Sequence, residues 1–343
     1  MILFAADSAY SAFKGIINNN IFIENIARVN ISENILKTLN NEGMKQTFDV
    51  LEVEGFPPFV FGEQALRLSG NPNVRLNYTV NKNTIIDEIN QILPAAFARH
   101  LPNGTYEASG VLAVTQDQIV IGKEIIQQNL IKKHKVKVYK KGGETFSHTV
   151  NINIQKLKLI EQPIPALLAW LKKKYNSIIN HPHQNSNIVI VDAGGVTLDL
   201  LHVNNMSIIN YETHPDLGFR RVIKITTDNI FYEYKTRIHP AVFEHHFINS
   251  TPLYIHGKKA SIKNLLRPNI NFVAEDIKVK TNEFLSYAQP DFCLLTGRAS
   301  QSWFPYLKSL PYKMELMSPE LLTLGNALGS FILAQHYFEQ GIK

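Results

Sequence analysis

Short apolar runs that end in an acidic residue mark the strands of this chain. Residues 188–191 are all Ile or Val, the pattern of a strand covered on both faces, and the run stops at Asp192. Gly194 and Gly195 follow, and apolar residues resume at Leu198. We therefore predict a β-hairpin with a Gly-rich turn, where the missing Cβ atoms let the backbone approach a ligand closely.

The residues of this turn carry the chemistry of phosphate binding. Successive backbone N–H groups, together with the Thr197 hydroxyl, can form a concave anion site, and Asp192 can hold a hydrated Mg²⁺. A plain hairpin turn with a capping Asp is the alternative, which a Gly-Gly pair alone would favour. The combination of Asp192, two glycines, Thr197 and Asp199 favours the phosphate site.

A second acidic turn lies near the N-terminus. The apolar run 2–6 ends at Asp7, and residues 13–17 return as a strand that carries Lys14. A third strand is predicted after each hairpin, at 21–29 and at 206–211. The repetition predicts a duplicated α/β unit whose two turns face one cleft, with Lys14 able to point into that cleft.

Elsewhere the pattern alternates between short apolar runs and helical spacing. Strands are predicted at 110–115, 135–139, 146–154, 157–160 and 292–295. Helices are predicted at 84–97, 123–130, 166–175, 219–234, 277–287 and 321–338. The last of these carries polar residues, which favours a buried helix over a membrane span. Residues 237–266 are less regular and predict an inserted subdomain.

Length and composition indicate a folded protein of two lobes. The 343 residues suffice for two domains, and 45% of them are apolar. The 35 Lys and Arg against 29 Asp and Glu give a net charge of +6, spread along the chain, which does not predict nucleic acid as a direct ligand. A single cysteine excludes a disulfide within one chain and fits the cytoplasm. The first residues lack the basic region of a signal peptide, so none is expected there.

Isolated reactive and aromatic residues receive structural interpretations. Surface positions are predicted for His181, His183, His245 and His246, because no acidic partner is spaced to complete a metal site with them. Cys293 is predicted to lie in a buried strand, and Trp170 and Trp303 in the core or an interface. The lysines at 132, 133, 135, 137, 140 and 141 form a cluster, for which a solvated hairpin face is favoured over a partner-binding patch.

The order of these parts resembles the superfamily of actin, heat-shock chaperones and sugar kinases, and within it the bacterial plasmid-segregation actins of the ParM/StbA type. The resemblance covers nearly the whole chain. Residues 192–199 resemble the second phosphate loop, 7–14 the first, 161–166 the link between domains, and 294–299 the adenosine loop. The basic stretch 129–146 and the segment 318–327 resemble the plasmid branch specifically.

The resemblance implies an α/β fold of two ribonuclease H-like, actin-like domains flanking a nucleotide cleft. Domain I would span 1–160, with an inserted subdomain near 30–80. Domain II would span 161–343, with an inserted subdomain near 220–275 and a C-terminal helix near 319–340 packing on domain I. The implied protein is cytoplasmic, binds ATP or GTP with Mg²⁺, hydrolyses it slowly and polymerises into dynamic filaments. Its implied role is plasmid DNA segregation through a DNA-binding partition adaptor, with no direct binding of nucleic acid or membrane.

Residue roles follow from the same resemblance. Asp7 and Asp192 would hold Mg²⁺ through water, and Gln162, which cannot abstract a proton, would orient the attacking water; these three are the implied catalytic residues. The implied nucleotide-binding residues are Asp7, Ser8, Ser11, Lys14, Asp192, Gly194, Gly195, Thr197, Gly218, Thr296, Gly297 and Arg298. Within this set, Lys14 would contact phosphate oxygens, Gly218 would let the chain pass close to the nucleotide, and Gly297 would face the adenosine.

Two places depart from the family pattern. Ala9 and Ser11 stand where the first loop usually has glycine, and Gly297 is followed by Arg298 where a glycine pair is usual. One alternative is therefore a pseudo-ATPase that forms filaments without turning nucleotide over. The other alternative is a small-molecule kinase of the same superfamily, against which the absence of a recognisable second substrate-pocket motif counts.

Overall fold

The computed structural model describes residues 1–8, 12–32, 34–35, 48–68 and 82–339, without the side chains of residues 25, 82–88 and 117. The chain divides into two compact units, Met1–Gln162 together with the segment from Ser330, and Pro163–Gly329. The division after Gln162 lies two residues beyond the predicted boundary, and the first unit includes the segment from Ser330. The inserted subdomain predicted near 30–80 lies partly outside the described residues.

The first unit is built on a sheet to which the described residues contribute nine strands. These are β1 (Ile2–Ser8), β2 (Ala12–Ile17), β3 (Asn20–Asn25), β4 (Arg28–Asn30), β5 (Val50–Val53), β6 (Phe59–Phe61), β7 (Gly104–Val114), β8 (Lys133–Lys140) and β9 (Thr145–Glu161). Their order is β3-β2-β1-β7-β9-β8-β5-β6-β4. The helices are α1 (Glu63–Leu68), α2 (Lys82–His100) and α3 (Gln116–Leu130). Every residue of β1 is buried, as its apolar run predicts.

The second unit repeats the central part of this arrangement. Its strands are β10 (Asn187–Ala193), β11 (Leu198–Asn204), β12 (Ser207–His214), β13 (Leu253–Ile255), β14 (Lys258–Ala260), β15 (Phe292–Thr296) and β16 (Met314–Leu316). Its helices are α4 (Ile164–Tyr175), α5 (Phe219–Tyr234), α6 (Pro240–Ile248), α7 (Ile262–Ala288), α8 (Ser300–Leu307) and α9 (Pro319–Ala334), the last of which crosses the unit boundary. The main sheet has the order β12-β11-β10-β15-β16, and β13 pairs with β14 alone.

The two sheets share one topology around their central strand. In each, three consecutive strands form an antiparallel meander, β1-β2-β3 in the first unit and β10-β11-β12 in the second. The first strand of each meander then pairs in parallel with a later strand, β7 or β15. The predicted duplication of an α/β unit is therefore confirmed.

The core of the second unit lies between its main sheet and the helices. Val189 and Val191 of β10 pack with Val222 of α5, Val273 of α7 and Trp303 of α8, and all five are fully buried. Cys293 on β15 belongs to the same core, and burial raises the pKa of its thiol to about 12. The predictions of a buried strand for Cys293 and of a core position for Trp303 are confirmed.

Several predicted elements differ from the structure: the strand predicted at 21–29 is divided into β3 and β4, and the helix predicted at 123–130 begins at Gln116. Residues 146–154 and 157–160, predicted as separate strands, belong to the single strand β9. The polar pair Gln155 and Lys156 between them is exposed, and the pairing with β7 skips Gln155 as a β-bulge, so no turn is needed. The helix predicted at 277–287 begins at Ile262, with Pro268 inside its early turns.

The histidines of the linker between α4 and β10, predicted to be surface residues, are only partly exposed. His181 and His183 are half-buried. The His183 ring lies 4.6 Å from that of Phe292 and 5.6 Å from that of Trp170, and its Nε2 is 2.8 Å from the Tyr175 hydroxyl. The linker is therefore packed against aromatic side chains of its neighbours. His245 and His246 lie on helix α6 and are also half-buried.

The lysine cluster is a solvated face of β8 and the turn that follows, as predicted. Lys132, Lys133, Lys135, Lys140 and Lys141 are exposed. Half-buried Lys137 donates a hydrogen bond at 2.9 Å to Glu52, its cross-strand partner on β5. Within the described part of the chain, no helix is both long and apolar enough to span a membrane.

Candidate functional site

The hairpin of β10 and β11 presents a short turn at the end of two inner strands of the second sheet. Its pairing ends at Ala193 and Leu198, and the Gly194 N–H donates to the Thr197 carbonyl at 2.9 Å. Residues 194–196 are half-buried, whereas the residues on both sides are buried. The tip of the turn is therefore the part of this hairpin that a ligand can reach.

Helix α5 begins directly against this turn. The Phe219 and Arg220 N–H groups donate to the carbonyls of Gly194 and Gly195 at 3.3 and 2.7 Å. A Cβ on Gly218 would lie 2.2–2.4 Å from backbone atoms of Val196, so glycine is required for this packing. The first N–H groups of the helix are thus used on the carbonyls of the turn, and these bonds fix the turn in place.

The Asp199 carboxylate is held by hydroxyl groups. It accepts hydrogen bonds from Thr197 at 2.7 Å, Tyr211 at 2.9 Å and Thr213 at 2.8 Å. Burial and the neighbouring Asp199 carboxylate raise the pKa of the Tyr211 phenol. Because the single O–H of Thr197 donates to Asp199, its predicted role in a phosphate cradle would require the hydroxyl to rotate from Asp199 to a phosphate oxygen.

Asp192 faces Asp199 across the hairpin. The two residues are directly paired in the antiparallel register, which places their side chains on the same face of the sheet. Both are buried, with 8% of Asp192 and 4% of Asp199 exposed. Neighbouring buried carboxylates repel each other and attract a cation, and carboxylate oxygens are ligands that Mg²⁺ prefers. This donor set fits a hydrated Mg²⁺.

The loop after β15 lies against Asp192. Thr296 pairs with Asp192 across parallel strands, and Gly297 has a left-handed φ of +83°. A Cβ on Gly297 would lie 2.2 Å from Asp192 Oδ1 and 2.5 Å from the Ala193 carbonyl. The glycine of the predicted adenosine loop thus leaves room for the Asp192 carboxylate, while Arg298 beside it is exposed.

Asp7 of the first unit lies in a different environment. It pairs in register with Lys14 on β2, whose Nζ lies 3.2 Å from Asp7 Oδ2. The amide of Gln162, the last residue before the unit boundary, donates to the other oxygen, Oδ1. Burial raises the pKa of the Asp7 carboxyl, and the Lys14 charge acts in the opposite direction. Ser8 is buried beside Asp7, and Ser11 lies outside the described residues.

A cavity of about 410 Å³ lies beside the hairpin in the second unit, since two of its lining residues are His214, which pairs with Leu198, and Leu217, which precedes Gly218. It is lined by His214, Pro215, Asp216, Leu217, Arg221, Asp276, Val279 and Lys280. None of these residues belongs to the β10–β11 turn, so this cavity is not formed by the predicted phosphate site.

No protein-family model matches the sequence, and no curated protein matches it at a significant level. The archaeal actin homolog Ta0583 superposes with a TM-score of 0.77 over 98% of this chain and 100% of its own, at 18% sequence identity. The chain has the actin-like fold. An ADP complex of Ta0583 gives a TM-score of 0.74 at 19% identity, with 98% and 100% coverage. A 15-stranded ParM filament from Clostridium botulinum gives 0.73 at 16%, with 98% and 99% coverage.

Within this actin-like chain, each unit brings together its own share of the predicted residues. The first unit joins Asp7, Ser8, Lys14 and Gln162; the second joins Asp192, Gly194, Gly195, Thr197, Gly218, Thr296 and Gly297. Sequence reasoning missed Tyr211, Thr213 and Asn326, all of which are hydrogen-bonded to one of the two aspartates of the hairpin. Asn326 lies in the segment 318–327 that the resemblance singled out, but its residue type carried no signal that it would contact Asp192, 134 residues earlier.

Proposed function

We propose that this protein binds ATP or GTP with Mg²⁺ and assembles into filaments in response. The observation that carries the proposal is the β10–β11 turn, a half-exposed glycine turn fixed at the N-terminus of α5 beside the buried Asp192 carboxylate. A solved ADP complex and a solved filament among structures of the same fold support both parts of the proposal.

The chain's own residues would divide the work as follows. The Gly195 N–H would contact a phosphate oxygen at the turn, and Gly194, whose N–H donates to the Thr197 carbonyl, would let the ligand approach without a Cβ. Lys14 uses one of the three N–H donors of its ammonium on Asp7, and the remaining donors would bind β- or γ-phosphate oxygens. Bound Mg²⁺ would neutralise phosphate charge, and Asp192 and Asp7 would hold it through water.

Hydrolysis would be slow, because the residue in the water-orienting position is an amide. Gln162 cannot take a proton at neutral pH, so its contribution would be to orient water and to hold the Asp7 carboxylate. The loop of Thr296, Gly297 and Arg298 would contact the nucleoside. In a cytoplasmic setting, plasmid segregation through a DNA-binding adaptor, with neither DNA nor membrane bound directly, is the role we propose for the filaments.

Light scattering and pelleting on addition of nucleotide and Mg²⁺ test the proposal. We expect scattering with ATP or GTP, less with the diphosphate, and a longer-lived signal with a non-hydrolysable analogue. Asp192→Ala should abolish the response. Asp228→Ala is a matched control, because Asp228 is an exposed acid of the same unit, in the third turn of α5. Phosphorylation of an added metabolite without scattering would instead support a kinase.

A further inference from the structure

Helix α9 contributes an amide to the Asp192 carboxylate. The Nδ2 group of Asn326 points at Asp192 Oδ2 from 3.5 Å, longer than an ordinary N–H···O hydrogen bond of about 2.7–3.2 Å, so the contact would shorten when the carboxylate turns toward a cation. An ionised carboxylate only accepts hydrogen bonds, so the amide nitrogen must face it. The other amide atom, Oδ1, is buried and has no hydrogen-bond partner among the described residues.

Two glycines fix the position of this amide. A Cβ on Gly325 would lie 3.1 Å from the Ala166 Cβ on α4, and a Cβ on Gly329 would lie 1.7 Å from the Pro165 carbonyl. Helix α9 therefore packs on the start of α4 through backbone contact, which side-chain rotation cannot adjust. Asn326 lies between the two glycines, so its Cα is held at a set distance from Asp192.

Asp192 is therefore contacted on both oxygens. Oδ1 lies in the space that the missing Cβ of Gly297 leaves, and Oδ2 accepts from Asn326. The amide is a neutral donor, so this contact directs the carboxylate without neutralising its charge. Hydrogen bonds to a metal-binding carboxylate orient it in this way, and their loss weakens metal affinity by about 10- to 100-fold.

We propose that Asn326 is a positioning residue that sets the direction of the Asp192 carboxylate toward a hydrated divalent cation. Its Oδ1 is the acceptor for a water of that cation. This inference rests on the proposed binding of a Mg²⁺–nucleotide complex. It adds that α9 strengthens the binding of the cation and not the binding of the nucleotide itself.

The test compares nucleotide affinity with and without the cation. Asn326→Leu keeps the branched shape at Cγ and favours the helix more than Asn does, but it removes both amide atoms at the cost of a larger side chain. We expect its Kd for fluorescent ADP to rise about tenfold in Mg²⁺ and to stay at the wild-type value in EDTA. Electron paramagnetic resonance of Mn²⁺ in the presence of ADP should show correspondingly weaker cation binding. Thr323→Ala, a half-buried position one turn earlier on α9, is the control.

The outcomes separate this inference from the proposed function. Equal loss of ADP affinity in Mg²⁺ and in EDTA, or no loss in either, overturns the positioning role while leaving nucleotide binding intact. A wild-type protein that binds no nucleotide overturns the proposed function and this inference together. Asn326→Ser, which removes the amide without adding bulk, gives the same comparison if the Leu variant does not fold.

Discussion

Replacing Gly297 by alanine should disturb the Asp192 carboxylate in addition to straining the backbone. The residue has a φ of +83°, and its new Cβ would lie 2.2 Å from Asp192 Oδ1 and 2.5 Å from the Ala193 carbonyl. The carboxylate can rotate away, but the carbonyl is held by a hydrogen bond from the Ala299 N–H at 3.0 Å. The substitution therefore forces either the loop or the end of β10 to move.

Two costs add in this variant. A non-glycine residue in the left-handed region costs about 1–2 kcal/mol. Displacing packed neighbours costs about 1–3 kcal/mol more. Gly257, in the β13–β14 turn of the same unit, separates the backbone cost from the packing cost. It has a φ of +74°, but a Cβ there would meet nothing within 4 Å. Gly257→Ala should therefore show the backbone cost alone.

Thermal unfolding and Mg²⁺-dependent nucleotide binding are the measurements. We expect Gly297→Ala to lower the Tm more than Gly257→Ala, by about 2–4 °C for each further kcal/mol. It should also weaken nucleotide binding in Mg²⁺, whereas Gly257→Ala should bind like the wild type. Equal Tm values and equal affinities for the two variants would refute the argument that Gly297 makes room for the carboxylate.

Three further predictions follow from contacts within single units. Gly218→Ala should cost about 1–3 kcal/mol of unfolding free energy in a denaturant titration, because its Cβ would clash with Val196, and an unchanged midpoint would contradict this. Gln162→Leu should slow phosphate release about 100-fold while changing nucleotide affinity much less; a parallel loss of affinity would show a role in binding instead. Glu24→Gln should cost about 1.5–3 kcal/mol at neutral pH, because the carboxylate bonds Arg99 at 2.9 Å. Burial acts to raise the pKa of Glu24, but hydrogen bonds and ion pairs with His100 and Arg99 lower it overall. The difference in unfolding free energy between the variant and the wild type should therefore vanish as the pH falls through this lowered pKa. A difference that persists in acid would refute the assignment.

The sequence alone determined the repeated part of the fold. An all-β-branched run such as residues 188–191 can be satisfied only by a strand covered on both faces, and glycines after an acid predict the turn. The spacing of residues 219–234 gave helix α5 with both of its ends correct. Local patterns succeed here because the apolar positions within each element predict which of its residues are buried.

Only the tertiary structure decided what surrounds the two aspartates. The pairing of Asp192 with Asp199, the space beside Gly297 and the amide of Asn326 bring together residues from β10, β11, the loop after β15 and α9. Periodicity cannot predict such contacts, because they depend on strand order and helix packing, which arise from the summed burial of the whole unit. Strand β9 shows the same limit, since the two strands predicted at 146–154 and 157–160 are one strand whose pairing with β7 skips Gln155 as a β-bulge.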